Sequence, residues 1–265
     1  WVDAAVESGY KRNNDYNAED QEGVGYFQLT ADKGRRCSTA VAYLNPAKKR
    51  KNLHILTNTQ VEKIIIKDGR ATAVNAIENS SPKIIKARKE IILSAGAIGS
   101  PQILMLSGVG DAKELKKHGI DVIKNLPGVG KNLQDHLQAR PIFKTDLSTI
   151  NIETNNLFKQ GMIALQYAIS RTGPMTMAAS LGTAFLKTDD KLETPDIQFH
   201  IQPFSANNAV EGTHKFSAFT ASVLQMRPES TGHLELVSAN YQDHPKIYPN
   251  YLDKDIDKKT IVKGI

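Results

Sequence analysis

Fifteen consecutive residues limit the architecture of this chain more than any other part of it: Gly96-Ala97-Ile98-Gly99-Ser100-Pro101-Gln102-Ile103-Leu104-Met105-Leu106-Ser107-Gly108-Val109-Gly110. They follow a short apolar segment, residues 90–94, and read as strand, tight glycine turn and helix. A backbone built this way approaches a bulky cofactor closely, because glycine carries no Cβ. Ser100 is placed to act as N-cap and Pro101 to take the first helical position, where its missing N–H costs nothing. Gly108 then supplies the helix stop. The apolar residues 103–106 leave no polar face, so the helix is expected to be buried on most sides. These residues alone describe an α/β crossover element beside a candidate cofactor site.

A chain of 265 residues buries a substantial core, and its apolar fraction of 40% and charged fraction of 23% are ordinary for a globular protein. No uninterrupted apolar run approaches the ~20 residues that a membrane helix needs, so no transmembrane segment is expected. Trp1-Val2-Asp3 has neither the basic end nor the apolar core of a secretory signal. The first residue is not Met, which suggests a processed protein or a piece of a longer one. Cys37 is the only cysteine, which excludes an intrachain disulfide and a cysteine-based zinc site. Asn79-Ser80-Ser81 is a glycosylation sequon of a kind that arises often by chance. The net charge of +6 is densest at Lys48-Lys49-Arg50-Lys51, but no aromatic residues interleave with these cations to stack bases. A solvated helix end is expected there, and no nucleic-acid partner.

Along the chain, residues 1–20 begin helically and turn polar, and residues 27–30 read as a strand. Residues 38–44 read as a helix with Ser38 as N-cap and Pro46 beyond its end. From residue 53 the period becomes that of strands: 53–57, then 61–67 and 70–77 around the hairpin signal Asp68-Gly69, then 83–88. Residues 111–118 form an amphipathic helix with Asp111 as cap and Gly119 as stop, and residues 121–123 a short strand. Residues 151–171 read as one helix. Residues 196–203, 218–226 and 232–238 read as three longer strands of a separate antiparallel sheet.

The run from Gly96 to Gly110 resembles the second signature of the glucose–methanol–choline (GMC) family of FAD-dependent alcohol oxidoreductases: Gly, small, two variable residues, Ser-Pro, an aliphatic pair and Ser-Gly-aliphatic-Gly. Other segments are similar to the same family in order and spacing. Arg36 and Ser38 through Tyr43-Leu44-Asn45-Pro46 match its lead into the flavin-domain hairpin. Val61 stands where the family places a valine whose backbone contacts the FAD adenine. Ser94-Ala95-Gly96-Ala97 looks like the strand-to-turn segment that passes close to the dinucleotide. Gly128-Val129-Gly130-Lys131-Asn132-Leu133-Gln134-Asp135-His136 is similar to a loop that borders the flavin without supplying the catalytic base. Arg227-Pro228-Glu229-Ser230-Thr231-Gly232 and Tyr248-Pro249-Asn250-Tyr251-Leu252 match the substrate-domain sheet and its return to the flavin domain.

The resemblance implies FAD as cofactor, held in part by Val61, Ala95, Gly96, Ala97, Asp135 and His136. It implies a small-molecule alcohol as substrate, with hydride passing to the flavin and a histidine serving as base. The implied fold is α/β plus an antiparallel sheet: a partial FAD-binding, doubly wound domain with a substrate-binding α+β domain. Residues 1–25 would be an N-terminal helical and loop segment, 26–140 part of the FAD-binding domain, 141–248 the substrate-binding domain and 249–265 a return to the first. Neither Gly108-Val109-Gly110 nor Gly128-Val129-Gly130 continues into a Gly-x-Gly-x-x-Gly fingerprint, and no residue here matches the family's catalytic histidine segment. The chain therefore reads as the middle of a longer enzyme, expected by itself to bind no FAD and to oxidise no alcohol. A shortened, non-catalytic relative acting as a binding module is the alternative.

Among the seven histidines, His54, His118, His214, His233 and His244 are expected to be solvated. His200 lies in Ile197-Gln198-Phe199-His200-Ile201-Gln202, where alternation puts Gln198, His200 and Gln202 on one face. That face is either the lining of a pocket for a hydroxylated substrate or the solvent side of an antiparallel sheet. No set of histidines and carboxylates has metal-ligand spacing.

Overall fold

The computed structural model describes residues 1–208 and 211–265, which form two compact units. One comprises Trp1–Arg50, His136–Pro228 and Lys254–Ile265, the other Lys51–Asp135 and Glu229–Asp253. The chain thus crosses between units several times. Residues 1–50 pack with the long antiparallel sheet, residues 229–248 leave it, and the last helix, Asp255–Gly264, returns to it. These boundaries differ from the sequential segments drawn above, because strand pairing gathers pieces distant in sequence.

The first unit is built on a six-stranded antiparallel sheet whose main path runs Gly23–Tyr26, Gly182–Leu186, Ile197–Gln202, Ala218–Gln225 and Gln138–Ala139; Ile142–Lys144 also pairs with Ala218–Gln225. Its two faces differ in chemistry. On one, Val24, Ala184, Leu186 and Phe199 pack with Val2, Ala5 and Val6 of the helix Val2–Glu7. The helix Asp255–Gly264 lies on the same face, with Gly264 against Val223 and Ile197. The other face carries the alternate residues, many of them polar. The reading of 196–203 and 218–226 as strands holds, whereas Gly232–Glu235 belongs to the other unit's sheet. Residues 27–30 form no strand; the pairing lies earlier, at Gly23–Tyr26. The expected helix 151–171 is two helices, Ile150–Thr154 and Leu157–Ser170, broken where the Asn156 side chain accepts from Lys159 N to cap the second. Pro46 sits inside the helical segment Asn45–Ala47, not beyond it, because proline is tolerated in a first turn.

The second unit holds a three-stranded meander, Thr59–Lys67, Arg70–Glu78 and Ser81–Lys86, closed at Asp68-Gly69 where both residues adopt positive φ. The helix Gly96–Leu106 covers its outer edge. Ser107 Oγ accepts from Ile64 N at 2.8 Å and donates to the Ile103 carbonyl, so an edge amide is satisfied by a side chain. Met105, Leu106, Leu115 and Leu236 form the core, each contributing about 1.5–3 kcal/mol by burial. Asp111 caps Ala112–Lys117 through Lys113 N and Glu114 N, and Gly119 follows with φ of 69°, as expected.

Residues 90–94 and 53–57, expected as strands, pair with nothing among the described residues. An apolar run becomes a strand only where a neighbouring chain takes its backbone hydrogen bonds. Among the described residues, parallel pairing between strands is confined to Val109–Gly110 with Lys124–Asn125, which also replaces the expected strand at 121–123. The architecture is mixed α/β with antiparallel sheets. The helix after the glycine turn begins at Gly96, with Ala95 as N-cap and Pro101 inside it. Ser100 is therefore not the N-cap, yet its Oγ accepts from Ala95 N at 3.0 Å and so takes one of the turn's free donors. Burial of this helix is confined to its C-terminal end, at Met105 and Leu106.

Candidate functional site

Two sets of residues stand out, one in each unit. In the second unit, Ala95, Gly96 and Ala97 are exposed at the N-terminal turn of the helix Gly96–Leu106. Gly96 has φ of 81° and nothing within 4 Å of the position its Cβ would take. Glycine is thus required by backbone conformation, and the space beside the turn is open. Small side chains and a helix N-terminus together present backbone N–H groups outward, an arrangement suited to a bulky anionic group. Val61 lies half-buried in Thr59–Lys67, opposite Ala76 and next to a β-bulge at Glu62 that redirects the strand. Asp135 is exposed and accepts from the Tyr251 hydroxyl; this bond holds the Tyr251 phenol above its ordinary value. Tyr251 had no signal in the sequence beyond its place in a matched segment.

In the first unit, the polar sheet face gathers Gln198, His200 and Gln202 with cross-strand neighbours set by register. His200 stands between Thr183 and Ser222, Gln198 between Phe185 and Leu224, and Gln202 opposite Thr220. All three polar residues of the strand are half-buried. Phe27 meets the His200 ring edge-on at 5.0 Å, and Tyr16 packs on Phe27 and Phe185. Gln198 Nε2 donates to Thr183 Oγ1 at 3.3 Å, and Arg140 Nη2 donates to Gln202 Oε1 at 3.1 Å. Ser222 is fully buried and its hydroxyl finds no hydrogen-bond partner among the described residues. Burial first, and the charge of His136 second, hold the His200 imidazole below its ordinary value, so it is neutral at neutral pH. His136 is exposed and its Nε2 lies 2.9 Å from the Met226 carbonyl. A carbonyl only accepts, so Nε2 carries the proton and Nδ1 is the basic nitrogen.

Sequence reasoning missed Arg140, Thr183 and Ser222. Their place beside His200 comes from strand register, which a single sequence carries only as alternation. The histidines expected to be solvated include three that are partly buried and partnered: His233 stacks on Tyr248 with ring centroids 4.7 Å apart and lies 3.3 Å from Glu235 Oε1. His118 pairs with Glu114 across one helical turn, and His214 Nδ1 lies 2.9 Å from the buried Ser205 Oγ. Among the described residues no three His, Cys, Asp or Glu side chains cluster as a metal site, and no helix is long and apolar enough to cross a membrane.

Residues 1–138 match the GMC oxidoreductase family. The chain belongs to that family. It is 36% identical over 268 residues to an alcohol dehydrogenase (acceptor) of Pseudomonas putida, covering 100% of this chain and 49% of that protein. It is 39% identical over 264 residues to the mitochondrial choline dehydrogenase of Homo sapiens, covering 97% of this chain and 43% of that protein. Among solved structures, a formate oxidase superposes with a TM-score of 0.88 at 23% identity, over 99% of this chain and 50% of that one. An FAD-dependent oxidoreductase from Chaetomium thermophilum gives 0.86 at 24% identity, over 99% and 52%. The chain spans about half the length of the curated relatives it matches. GMC oxidoreductases are flavoproteins that act on CH–OH donors, and FAD is the cofactor. The exposed small-residue turn at Ala95-Gly96-Ala97 fits such a group: it offers backbone donors and no bulk.

Proposed function

We propose that this chain supplies part of the flavin cradle and the substrate-facing sheet of an FAD-dependent oxidoreductase that oxidises a small-molecule alcohol. The observation that carries the reading is the helix Gly96–Leu106, entered through a glycine at positive φ and flanked by exposed alanines. Gly96 and Ala97 would lie against the dinucleotide with their backbone amides and Ala95 with its small side chain, Val61 beside its adenine, and Asp135 and His136 at the border of the ring system. Asp135 is oriented for this by Tyr251, and His136 by the Met226 carbonyl. When bound, the flavin supplies the hydride acceptor. On the polar sheet face, neutral His200 both donates to and accepts from a hydroxyl, and Gln198 orients the molecule that carries it. Half-burial keeps bulk water from competing for these groups.

The test uses the flavin-loaded enzyme that contains this chain. Anaerobic addition of primary alcohols should bleach the flavin absorbance, and Gly96→Val should lower flavin occupancy while leaving the rest of the fold intact by circular dichroism. Full flavin content in Gly96→Val would remove the assignment of this turn.

A further inference from the structure

We propose that a cavity in the second unit, between the helix Ala112–Lys117 and the paired strands Lys131–Leu133 and Gly232–Glu235, binds a small zwitterion with an apolar side chain, of the α-amino acid class. The proposal is independent of the alcohol-oxidising reading above. None of the residues that line this cavity belongs to the glycine turn or to the polar sheet face.

The cavity measures about 270 Å³, just under the ~300 Å³ at which sites for drug-sized molecules begin, so its ligand is small. Its floor is apolar and fixed. Met105 and Leu234 are buried, and Val129 packs against the core formed by Met105, Leu106, Leu115 and Leu236. Leu234 N donates to the Gly130 carbonyl at 2.6 Å, which locks one wall to the floor. The other wall is held at its start by Asp111, which accepts from Lys113 N at 2.8 Å and from Glu114 N at 3.1 Å.

Charges of both signs surround this floor. Lys113 and Lys117, four residues apart and so on one helix face, meet Lys131 from the strand wall. Their convergence shows at Asp111: its two backbone hydrogen bonds first, and the charges of Lys113 and Lys131 after them, hold its carboxyl below the usual carboxylate range. Each wall also brings a glutamate fixed by a histidine. Glu114 Oε1 lies 3.2 Å from His118 Nε2, and Glu235 Oε1 lies 3.3 Å from His233 Nε2, whose ring stacks on Tyr248. A carboxylate only accepts, so each imidazole donates to it and the glutamate keeps its charge. A ligand with one charge is drawn to half of this rim and repelled by the other half. An α-amino acid answers both halves with its carboxylate and ammonium, and lays its apolar side chain on the floor. Single exposed ion pairs are worth little, so selectivity comes from engaging both signs at once.

Saturation-transfer NMR on the flavin-loaded enzyme that contains this chain compares L-leucine with isocaproate and isopentylamine, which keep its apolar body and one charge each. L-leucine should bind at least about tenfold more tightly than either, and its affinity should fall as salt rises. Lys117→Glu and Lys131→Glu, one in each wall, should each weaken L-leucine and move the preference toward isopentylamine. Two variants are used so that a folding failure of one leaves the other to decide. No saturable binding of L-leucine, equal binding of the three compounds, or an unchanged preference in the variant that folds overturns the proposal. None of these outcomes bears on flavin bleaching by alcohols, which tests the other reading.

Discussion

At the scale of single residues, His200 links burial to pH dependence. Its imidazole is held below the ordinary value of 6.5, chiefly by burial. The unfolded chain therefore takes up a proton at His200 before the folded one does. Linkage then makes stability fall as pH drops below about 6.5 and through the lower folded value, and leaves it untouched above. The midpoint of thermal unfolding, followed between about pH 7.5 and pH 5, should decline less steeply in His200→Gln than in the unaltered protein. Parallel slopes would mean that the histidine is solvated after all. Legibility in the sequence divides at this residue. Alternation placed Gln198, His200 and Gln202 on one face correctly, since strand period is a local property. That the face is half-buried could not be read, because Tyr16, Phe27 and Arg140 come from segments far away in sequence. Ser222 was invisible for the same reason: only register sets it across from His200.

At the scale of elements, signals carried by two to five adjacent residues translated directly. The Asp68-Gly69 hairpin, the Asp111 cap and the stops at Gly108 and Gly119 all formed where their chemistry put them. The strands expected at 53–57 and 90–94 did not, since pairing depends on partners that no local pattern specifies. Gly108 shows how strict a local signal becomes once tertiary contacts bear on it. Its φ is 82°, and a Cβ there would stand 2.4 Å from the Asp121 carbonyl oxygen, which is backbone and cannot swing aside. Gly108→Ala combines left-handed strain with a steric clash, and each mechanism costs on the order of 1–3 kcal/mol. Chemical denaturation should show a loss of at least about 2 kcal/mol, with Gly119→Ala as the comparison. Gly119 has nothing within 4 Å of its missing Cβ and should lose only the conformational part. Equal losses at the two glycines would show that the Asp121 contact does not constrain the turn.

At the scale of the whole molecule, the order of segments along the chain is not the order of compact units. The expected domain 26–140 begins in one unit and ends just inside it again, while most of its middle belongs to the other. That middle is incomplete without Glu229–Asp253. Leu236 closes the core formed by Met105, Leu106 and Leu115, and Gly232–Glu235 pairs with Lys131–Leu133. Leu234 and Leu236 are 3% and 4% exposed, so removing them forfeits about 1.5–3 kcal/mol of burial each. It also leaves the amides of Lys131–Leu133 without their ladder. Losses of this size are comparable with the entire stability of a small domain, about 5–15 kcal/mol. A piece comprising residues 1–140 is therefore expected to lack a cooperative thermal transition by far-ultraviolet circular dichroism. The piece 51–253, which keeps both segments of the second unit on one chain, should retain one arising from that unit. A sharp transition in 1–140 would mean that the meander and the helix Gly96–Leu106 hold together without the returning strand, and that the sequential reading of the domains describes the folding unit better than the contacts do.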